Sequence, residues 1–223
     1  VIPARGGSKG VYLKNIKKLR GKPLIYYTID SAISSGVFDE IVVSTDHAEI
    51  KKVCNQYEKI KIIDRPKKIS QDHSPTELTL IHACEFLFKK NGFKPKFVIL
   101  LEPTSPLRSS STIIKCLNIL KNTNADSVVG VKENNSSMGK IINGQFDLLF
   151  PNMPRRRQER VPFYQESGTI WGTTYDVLLK KKSMFGERVH PLIIDHNEAY
   201  DINNEKDFKI LEVIWDILKN EKN

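Results

Sequence analysis

Apolar and polar positions along the chain follow the pattern of strands that alternate with helices. Short continuous apolar runs at residues 41–44, 60–63 and 97–101 are typical of strands that are buried on both faces. Residues 24–35, 76–90 and 113–120 instead place apolar side chains three and four positions apart, which predicts helices between these strands. Such alternation predicts an α/β fold with a mainly parallel sheet and helices on both faces.

This regular alternation changes after Gly130. A strand is predicted at residues 127–131, and a hairpin at residues 141–150, because Asn143-Gly144 strongly favours a tight turn. Residues 151–162 contain three prolines and four arginines, too polar for a core and too often broken for a helix, and they predict an extended arm. A strand at 167–171, a helix at 173–180, a strand at 190–195 and a final helix complete the chain. Asn204 is the predicted N-cap of that helix, with Asp207 as its capping partner.

The length of 223 residues, with 39% hydrophobic residues, suits one α/β domain over residues 1–223, with an insertion at about 132–165. No apolar run reaches the roughly 18 to 20 residues that a membrane span needs, and no signal peptide precedes the first strand. We therefore expect a cytoplasmic protein. Because Val1 already lies within the first predicted strand, we also expect a few residues to precede it.

Charge and cysteine content narrow the chemistry only partly. Cys54, Cys84 and Cys116 are odd in number and widely spaced, which favours buried, reduced thiols over a disulfide or a zinc site. The net charge of +9 suits nucleic acid, an anionic membrane or an acidic small molecule equally well. A basic nucleic-acid-binding module would cluster Arg and Lys among exposed aromatics, whereas the one arginine cluster here lies in the proline-broken segment.

The segment that carries the clearest chemistry is residues 1–15, VIPARGGSKGVYLKN. Three glycines within five positions allow the backbone to turn its N–H groups towards an anion, and Arg5, Lys9 and Lys14 add positive charge, as a polyphosphate would require. A solvated loop after a strand fits the spacing equally well. Neither G-x-x-x-x-G-K-[ST] nor the dinucleotide spacing G-x-G-x-x-G is present, which argues against a nicotinamide enzyme.

Further strings follow this segment in a fixed order: GKPLI, IVVSTD at 41–46, RP at 65–66, LLEPTSPLR at 100–108, RQ at 157–158, SGTIW at 167–171 and AYDIN at 199–203. With these strings the whole chain resembles the acylneuraminate cytidylyltransferases, the CMP-sialic acid synthetase family. The resemblance implies a Rossmann-like fold of the nucleotide-diphospho-sugar transferase type and a homodimer formed through an arm at 132–165. It also implies a Mg²⁺-dependent transfer of CMP from CTP to the anomeric hydroxyl of a nonulosonic acid, with release of pyrophosphate.

The resemblance gives roles to residues at the nucleotide end. Arg5 and Lys14 match the positions that clamp the triphosphate, and Ser8 and Lys9 are further donors to it. Asn15 matches a family residue near the nucleotide, and the loop that the family uses around the cytosine and ribose contains Arg65, Ser74 and Thr76 here. The sequence leaves simpler alternatives open, since Asn15 also suits a turn and Arg65 also suits a structural ion pair with Asp72.

At the metal position, Asp201 matches the first of two family aspartates, and the second is Asn203 here. We count Asp201 with Arg5 and Lys14 as catalytic. An amide oxygen can still ligate Mg²⁺, but we expect weaker metal binding than with two carboxylates. Asn203 also suits a cap of the last helix.

The sugar end departs from the family pattern. The resemblance assigns five residues to the sugar pocket, some of them from a second subunit: Arg157, Gln158, Tyr164, Trp171 and Phe185. Trp171 and Phe185 also suit an ordinary core. Glu102 stands where many members have glutamine in contact with the sugar, and Ser167 replaces an asparagine. The sugar therefore stays open between N-acetylneuraminate, legionaminate and the KDO branch, whose acidic motif at the same strand end looks unlike LLEPTSPLR.

Overall fold

A mixed β-sheet forms the centre of the protein, in a computed structural model that describes residues 1–8 and 10–220. The strands are β1 (Ile2–Pro3), β2 (Lys18–Leu19), β3 (Lys22–Pro23), β4 (Val42–Thr45), β5 (Lys61–Asp64), β6 (Phe97–Leu100), β7 (Ser127–Asn134), β8 (Gly139–Ile142), β9 (Gln145–Leu148), β10 (Phe163–Thr174) and β11 (Val189–Ile193). The helices are α1 (Leu24–Ser35), α2 (Ala48–Cys54), α3 (Thr76–Asn91), α4 (Ser110–Asn122), α5 (Tyr175–Lys181) and α6 (Glu205–Asn220).

The sheet consists of two ladders joined at the first residue of the chain. Strands β5, β4 and β1 pair in parallel, and β6, β10, β7 and β11 form the second ladder. Val1 joins them, because its amino group donates to the carbonyl of Ile99 at 2.7 Å and its carbonyl accepts from the amide of Leu101. Only β10 runs antiparallel to both of its neighbours in the described sheet. The parallel strands consequently end at a common edge, the usual position for a ligand in such sheets.

Apolar residues on α1, α2 and α4 pack against both ladders and form the largest core cluster, which includes Ile29, Ile50 and Ile113. Separate clusters lie under α6 and around α3 and α5. The predicted helical periodicity of these segments thus corresponds to their buried faces. None of the described helices has the length and apolar character needed to cross a membrane.

The α6 N-terminus is capped as the sequence predicted. The side chain of Asn204 accepts from the amide of Lys206, and the carboxylate of Asp207 accepts from the amides of Asn203 and Asn204. These bonds satisfy backbone donors that have no partner within the helix. The cap role therefore belongs to Asn204, and the alternative that Asn203 caps the helix is wrong.

The region after β7 differs from its prediction in one respect. The predicted hairpin forms, with β8 and β9 joined through Asn143 and Gly144, both of which have positive φ. Residues 151–162 do not form the predicted extended arm. They contain a 3-10 turn at Arg157–Glu159, and the Arg160 guanidinium draws the segment together by donating to the carbonyls of Pro154, Arg155 and Asn135. A single arginine can donate several such hydrogen bonds at once. The positions of the prolines in the sequence do not predict these bonds.

Candidate active site

A cavity of about 370 Å³ lies at the edge of the sheet where β1, β5 and β6 end. Of the residues that the sequence assigned to the nucleotide, seven line it: Arg5, Ser8, Lys14, Asn15, Arg65, Ser74 and Thr76. Glu102 and Thr104 line the same cavity from the loop after β6. Lys9 lies outside the described residues. Residues distant in sequence thus converge because the parallel strands deliver their carboxyl ends to one place.

The glycine loop, of which the structure describes residues 5–8 and 10, is held at Gly6 and Gly10, where there is no room for a Cβ atom. The amide of Gly6 donates to Asp46 Oδ1 at 2.9 Å, and a methyl group on Gly6 would lie 2.5 Å from the ring of His47. A methyl group on Gly10 would collide with the backbone carbonyl of Asn203. The loop therefore packs between the start of α2 and the segment before α6, and it approaches both more closely than a side chain would permit.

Arg5 projects from this loop towards the cavity and is held there by two neighbours. Its guanidinium donates to Asp72 Oδ1 at 2.5 Å, and the side chain of Asn15 donates to the Arg5 carbonyl at 3.0 Å. Asn15 is only 6% exposed, so it fixes the backbone of Arg5 from inside the fold. Asn15 therefore lines the cavity and also stabilises the local turn, which is the alternative role that the sequence left open.

Lys14 faces the acidic side of the cavity. Leu13, the preceding residue, has a left-handed backbone with φ of 46°, which is uncommon for a branched apolar residue. The Lys14 ammonium donates to the carbonyl of Ile202 at 2.9 Å. Burial lowers the pKa of Lys14, while the carboxylates of Asp201 and Glu102 oppose that shift. This half-buried ammonium is well placed to contact a phosphate, and the two neighbouring carboxylates could bind a cation that accompanies the phosphate.

Glu102 and Asp201 are a pair of carboxylates with raised pKa values. Burial, followed by the charge of Asp201, raises the pKa of Glu102 to about 7. Burial also raises the pKa of Asp201, although hydrogen bonds from the side chains of Thr104, Asn203 and Ser105 counter the rise. Glu102 can therefore exchange a proton near neutral pH, whereas Asp201 is stabilised as an acceptor of hydrogen bonds.

Another wall of the cavity is formed by the segment between β5 and α3, which contains the residues predicted to lie around the cytosine and ribose. Arg65 is 7% exposed and donates to the hydroxyl and the carbonyl of Ser44, at 3.2 and 2.6 Å. Burial lowers its pKa to about 10. Since Asp72 pairs with Arg5, the alternative of an Arg65–Asp72 ion pair is wrong. Ser74 accepts from the amide of Gln71, and Thr76 begins α3, so both positions follow from the local turn.

The five residues assigned to the sugar pocket are not brought to the cavity of this chain. Arg157 and Gln158 are exposed in the 3-10 turn, and Tyr164 and Phe185 are 49% and 42% exposed. Trp171 is half-buried against the α3 and α5 cluster, and its indole N–H donates to Glu166 at 2.8 Å. A single chain therefore presents the nucleotide side of the site separately from these residues.

Sequence reasoning overlooked several side chains that hold the site together. Asp46 anchors the glycine loop, and Ser105 Oγ donates to the carbonyl of Gly168 at 2.9 Å and to Asp201 at 3.5 Å. Arg108 is buried behind Glu102. These residues lie within the strings IVVSTD and LLEPTSPLR, but the strings alone do not indicate which side chains meet in the folded chain.

A metal site made wholly of protein side chains is not formed by the described residues, in which no group of three or more His, Cys, Asp and Glu residues is arranged to hold an ion. The oxygen donors of Asp201, with the Asn203 amide beside it, nevertheless fit Mg²⁺. This ion takes one or two carboxylates and completes its coordination with waters and substrate phosphates. Burial is the main cause of the raised pKa of Glu102, and a nearby cation would offset the smaller contribution from the charge of Asp201.

Known proteins are similar to this chain along nearly its whole length. The chain is 34% identical over 225 residues to the CMP-N,N'-diacetyllegionaminic acid synthase of Legionella pneumophila, covering 97% of this chain and 95% of that protein. It is 31% identical over 215 residues to an N-acylneuraminate cytidylyltransferase of Streptococcus agalactiae, covering 93% of this chain and about half, 51%, of that protein.

A solved CMP:2-keto-3-deoxy-manno-octonic acid synthetase, complexed with CTP, has a TM-score of 0.69 with this fold, at 16% identity and 97% coverage of each chain. That likeness shows the fold alone. The family model described as Cytidylyltransferase matches residues 1–216. The chain therefore belongs to the cytidylyltransferase family and is a nucleotidyltransferase enzyme that uses CTP.

Proposed function

We propose that the protein transfers CMP from CTP to the anomeric hydroxyl of a nonulosonic acid and releases pyrophosphate. The observation that carries this proposal is the convergence of Arg5, Ser8 and Lys14 with Glu102 in one cavity at the carboxyl ends of the strands. Cations and hydroxyl donors on one wall suit a triphosphate, and the loop after β6 offers the other wall to an incoming hydroxyl. The similarity to cytidylyltransferases of nonulosonic acids along nearly the whole chain supports the same reaction.

In this proposal the protein acts by holding the two substrates in line and by balancing charge. The hydroxyl oxygen of the sugar acid bonds to the α-phosphorus as the bond to the pyrophosphate oxygen breaks. Arg5 can grip two phosphate oxygens, and Lys14 adds a point charge where negative charge accumulates on the leaving group. Because both groups are already fixed by Asp72, Asn15 and the Ile202 carbonyl, little reorganisation is needed during the reaction.

Asp201 and Asn203 would hold Mg²⁺, together with oxygens of the triphosphate. When bound, the ion supplies positive charge that neutralises the phosphates. Asp201 is suited to this role because Ser105, Thr104 and Asn203 orient its carboxylate. The carbonyl of Asn203 also packs against Gly10, so the metal ligands and the glycine loop are held at a constant separation.

We further propose that the arm, residues 132–165, forms a homodimer and carries sugar-binding residues to the partner's cavity. Eight large apolar residues are exposed in the arm: Ile141, Ile142, Phe146, Leu148, Leu149, Phe150, Val161 and Tyr164. Clustered exposure of this kind marks interaction surfaces. Arg157 and Gln158 belong to the same arm, so a partner would place an arginine where the carboxylate of the sugar acid needs a counter-charge.

Among nonulosonic acids, a legionaminate-type sugar agrees best with the similarity to the Legionella pneumophila enzyme. When it is ionised, Glu102 supports a sugar that offers hydrogen-bond donors, since a carboxylate only accepts hydrogen bonds, whereas an amide also donates them. We place the enzyme in a reducing compartment, the cytoplasm, because Cys54, Cys84 and Cys116 are all buried and free.

Pyrophosphate release is the direct test. The enzyme, CTP and Mg²⁺ are incubated with N,N'-diacetyllegionaminate, N-acetylneuraminate or KDO, and UTP and ATP replace CTP in parallel. Turnover with CTP and the legionaminate-type acid supports the proposal. Turnover with KDO alone would contradict the proposed sugar class. Thermal protection by oligonucleotides, with none by CTP and Mg²⁺, would favour the nucleic-acid-binding alternative.

A further inference from the structure

The neighbouring strands β6 and β10 separate where the cavity begins. Their ladder ends at the pair Leu100 and Trp171. On the other side of β10, the four residues 167–170 lie opposite a single residue of β7, Gly130, and therefore form a bulge. The carbonyls of Glu102 and Thr169, which a continued ladder would place side by side, therefore lack strand partners. Buried backbone carbonyls need another donor in such a position.

The guanidinium of Arg108 supplies that donor to both strands at once. Its Nη1 donates to the Thr169 carbonyl at 2.6 Å and to the Glu102 carbonyl at 3.2 Å. Its Nη2 donates to the Glu102 carbonyl at 3.1 Å and to the Thr28 hydroxyl on α1 at 2.8 Å. A planar fork with several fixed N–H groups can satisfy these diverging acceptors, whereas an ammonium group cannot reach all of them.

Arg108 achieves this without an ion pair, although it is only 3% exposed. Among the described residues no carboxylate lies within ion-pair distance of it, and burial lowers its pKa to about 10, so it stays charged at neutral pH. Keeping an unpaired charge inside a protein is costly. An apolar residue would fill the space more favourably if packing were the sole requirement.

The residues that Arg108 holds are the ones that position the acidic side of the cavity. Beyond Glu102, the carbonyl of Thr104 accepts from the amide of Ile202, next to Asp201. Within the bulge, Gly168 approaches Asp201 closely, and Ser105 donates to both. We propose that Arg108 is a positioning residue for the transfer reaction, which holds the separated ends of β6 and β10 so that Glu102 and Asp201 face the bound triphosphate.

This inference rests on the proposed function for its kinetic readout, so the test includes a second readout that does not need turnover. Arg108→Met and Arg108→Lys are compared with Ile113→Ala, which removes fully buried core volume from α4 away from the cavity. For each variant, kcat, the KM for CTP and the thermal midpoint are measured. Hydrogen exchange is followed in segments 100–104 and 166–171 of the CTP complex.

For Arg108→Met we expect kcat to fall by about 30-fold or more while the KM for CTP changes by less than about 3-fold. Exchange should rise in both segments. Arg108→Lys should recover part of kcat, because an ammonium can still bond one or two of the acceptors. Ile113→Ala should lower the midpoint yet keep kcat within about 2-fold.

The inference would be overturned if Arg108→Met, assayed well below its thermal midpoint, had the kcat of the wild type. Unchanged hydrogen exchange in both segments would also overturn it. If Arg108→Met does not fold, wild-type kcat and exchange in Arg108→Lys would overturn it equally. A wild-type enzyme inactive with every sugar acid would refute the proposed function alone, since the exchange comparison would still decide the role of Arg108.

Discussion

The two ends of the candidate site are built in opposite ways. At the nucleotide end, Arg5, Lys14 and Arg65 each have a hydrogen-bond partner within the chain. At the sugar end, Arg157, Gln158 and Tyr164 lie on an exposed arm away from the cavity. The nucleotide end is therefore preorganised by a single chain, whereas the predicted sugar-binding residues lie on surfaces that the described part of the same chain leaves exposed.

Under the proposed function, this difference separates the selection of the two substrates. The preorganised cavity would bind CTP with little ordering cost. An exposed arm can vary in sequence without disturbing the sheet, so it is a suitable place to change the sugar. The two departures from the family pattern do not lie on the arm: Glu102 lines the cavity, and Ser167 is buried within β10.

The largest effect should come from removing a preorganised cation of the nucleotide end. Arg5→Ala should lower kcat/KM by about 30- to 900-fold, a loss of about 2 to 4 kcal/mol of transition-state stabilisation, because it deletes a fixed donor to the triphosphate. Steady-state pyrophosphate assays measure the change. Arg20→Ala is the matched control, since Arg20 makes a similar 2.5 Å ion pair with Asp216 outside the cavity. Wild-type kinetics in Arg5→Ala would show that Arg5 has no role in the mechanism. The contrast between a preorganised nucleotide end and an exposed sugar end would then lose its main support.

The next effect concerns Glu102, on the acidic wall of the cavity, and the pH dependence of stability. Burial raises the pKa of Glu102 from 4.5 to about 7, so the folded protein retains a proton over this interval that the unfolded chain releases. Stability should therefore fall as pH rises from 4.5 towards 7. Glu102→Gln removes this titration, and its stability relative to wild type should increase by about 2 to 3 kcal/mol between about pH 4.5 and about pH 8.

Urea unfolding at several pH values checks this prediction. If the free energies of unfolding of Glu102→Gln and wild type differed by a constant amount across this pH interval, Glu102 would be normally ionised and well solvated. In that case the cavity wall at Glu102 would be open to solvent and would not be part of a buried, preorganised site.

A smaller effect should follow from breaking the proposed partner surface. Phe146→Asp should shift the protein from dimer to monomer and lower activity by about 10-fold through a higher KM for the sugar acid, because a charge would enter an apolar interface. Thermal protection by CTP should persist. Phe88→Asp is the control, because Phe88 on α3 is similarly exposed, at 56% against 61%. Sedimentation gives the oligomeric state, and a monomeric wild type would contradict the proposed arm function.

The smallest effect should be on metal affinity. Asn203→Asp adds a carboxylate beside Asp201 and should lower the Mg²⁺ concentration for half-maximal activity by about 3- to 10-fold, since Mg²⁺ favours charged oxygen ligands. The helix cap should be unaffected, because Asn204 and Asp207 provide it. A Mg²⁺ titration identical to that of wild type would show that residue 203 does not ligate the ion.

Much of the fold could be predicted from local patterns. The helix at 24–35 and the strand at the Phe97 run follow from periodicity, and Asn143-Gly144 set the hairpin. The antiparallel direction of β10 was not predictable in this way, because a buried strand has the same apolar pattern in either direction. The compact form of residues 151–162 also depends on bonds that Arg160 makes to carbonyls several residues away.

The sequence by itself determined the order of strands and helices, the glycine loop and the family resemblance, because these depend on local residue types and their spacing. The tertiary structure alone decided that Asp72 pairs with Arg5, that Gly10 meets Asn203 and that Arg108 bridges two strands. Those contacts join residues far apart in the chain. Their geometry depends on how strands and loops pack, and side-chain spacing along the sequence carries no record of it.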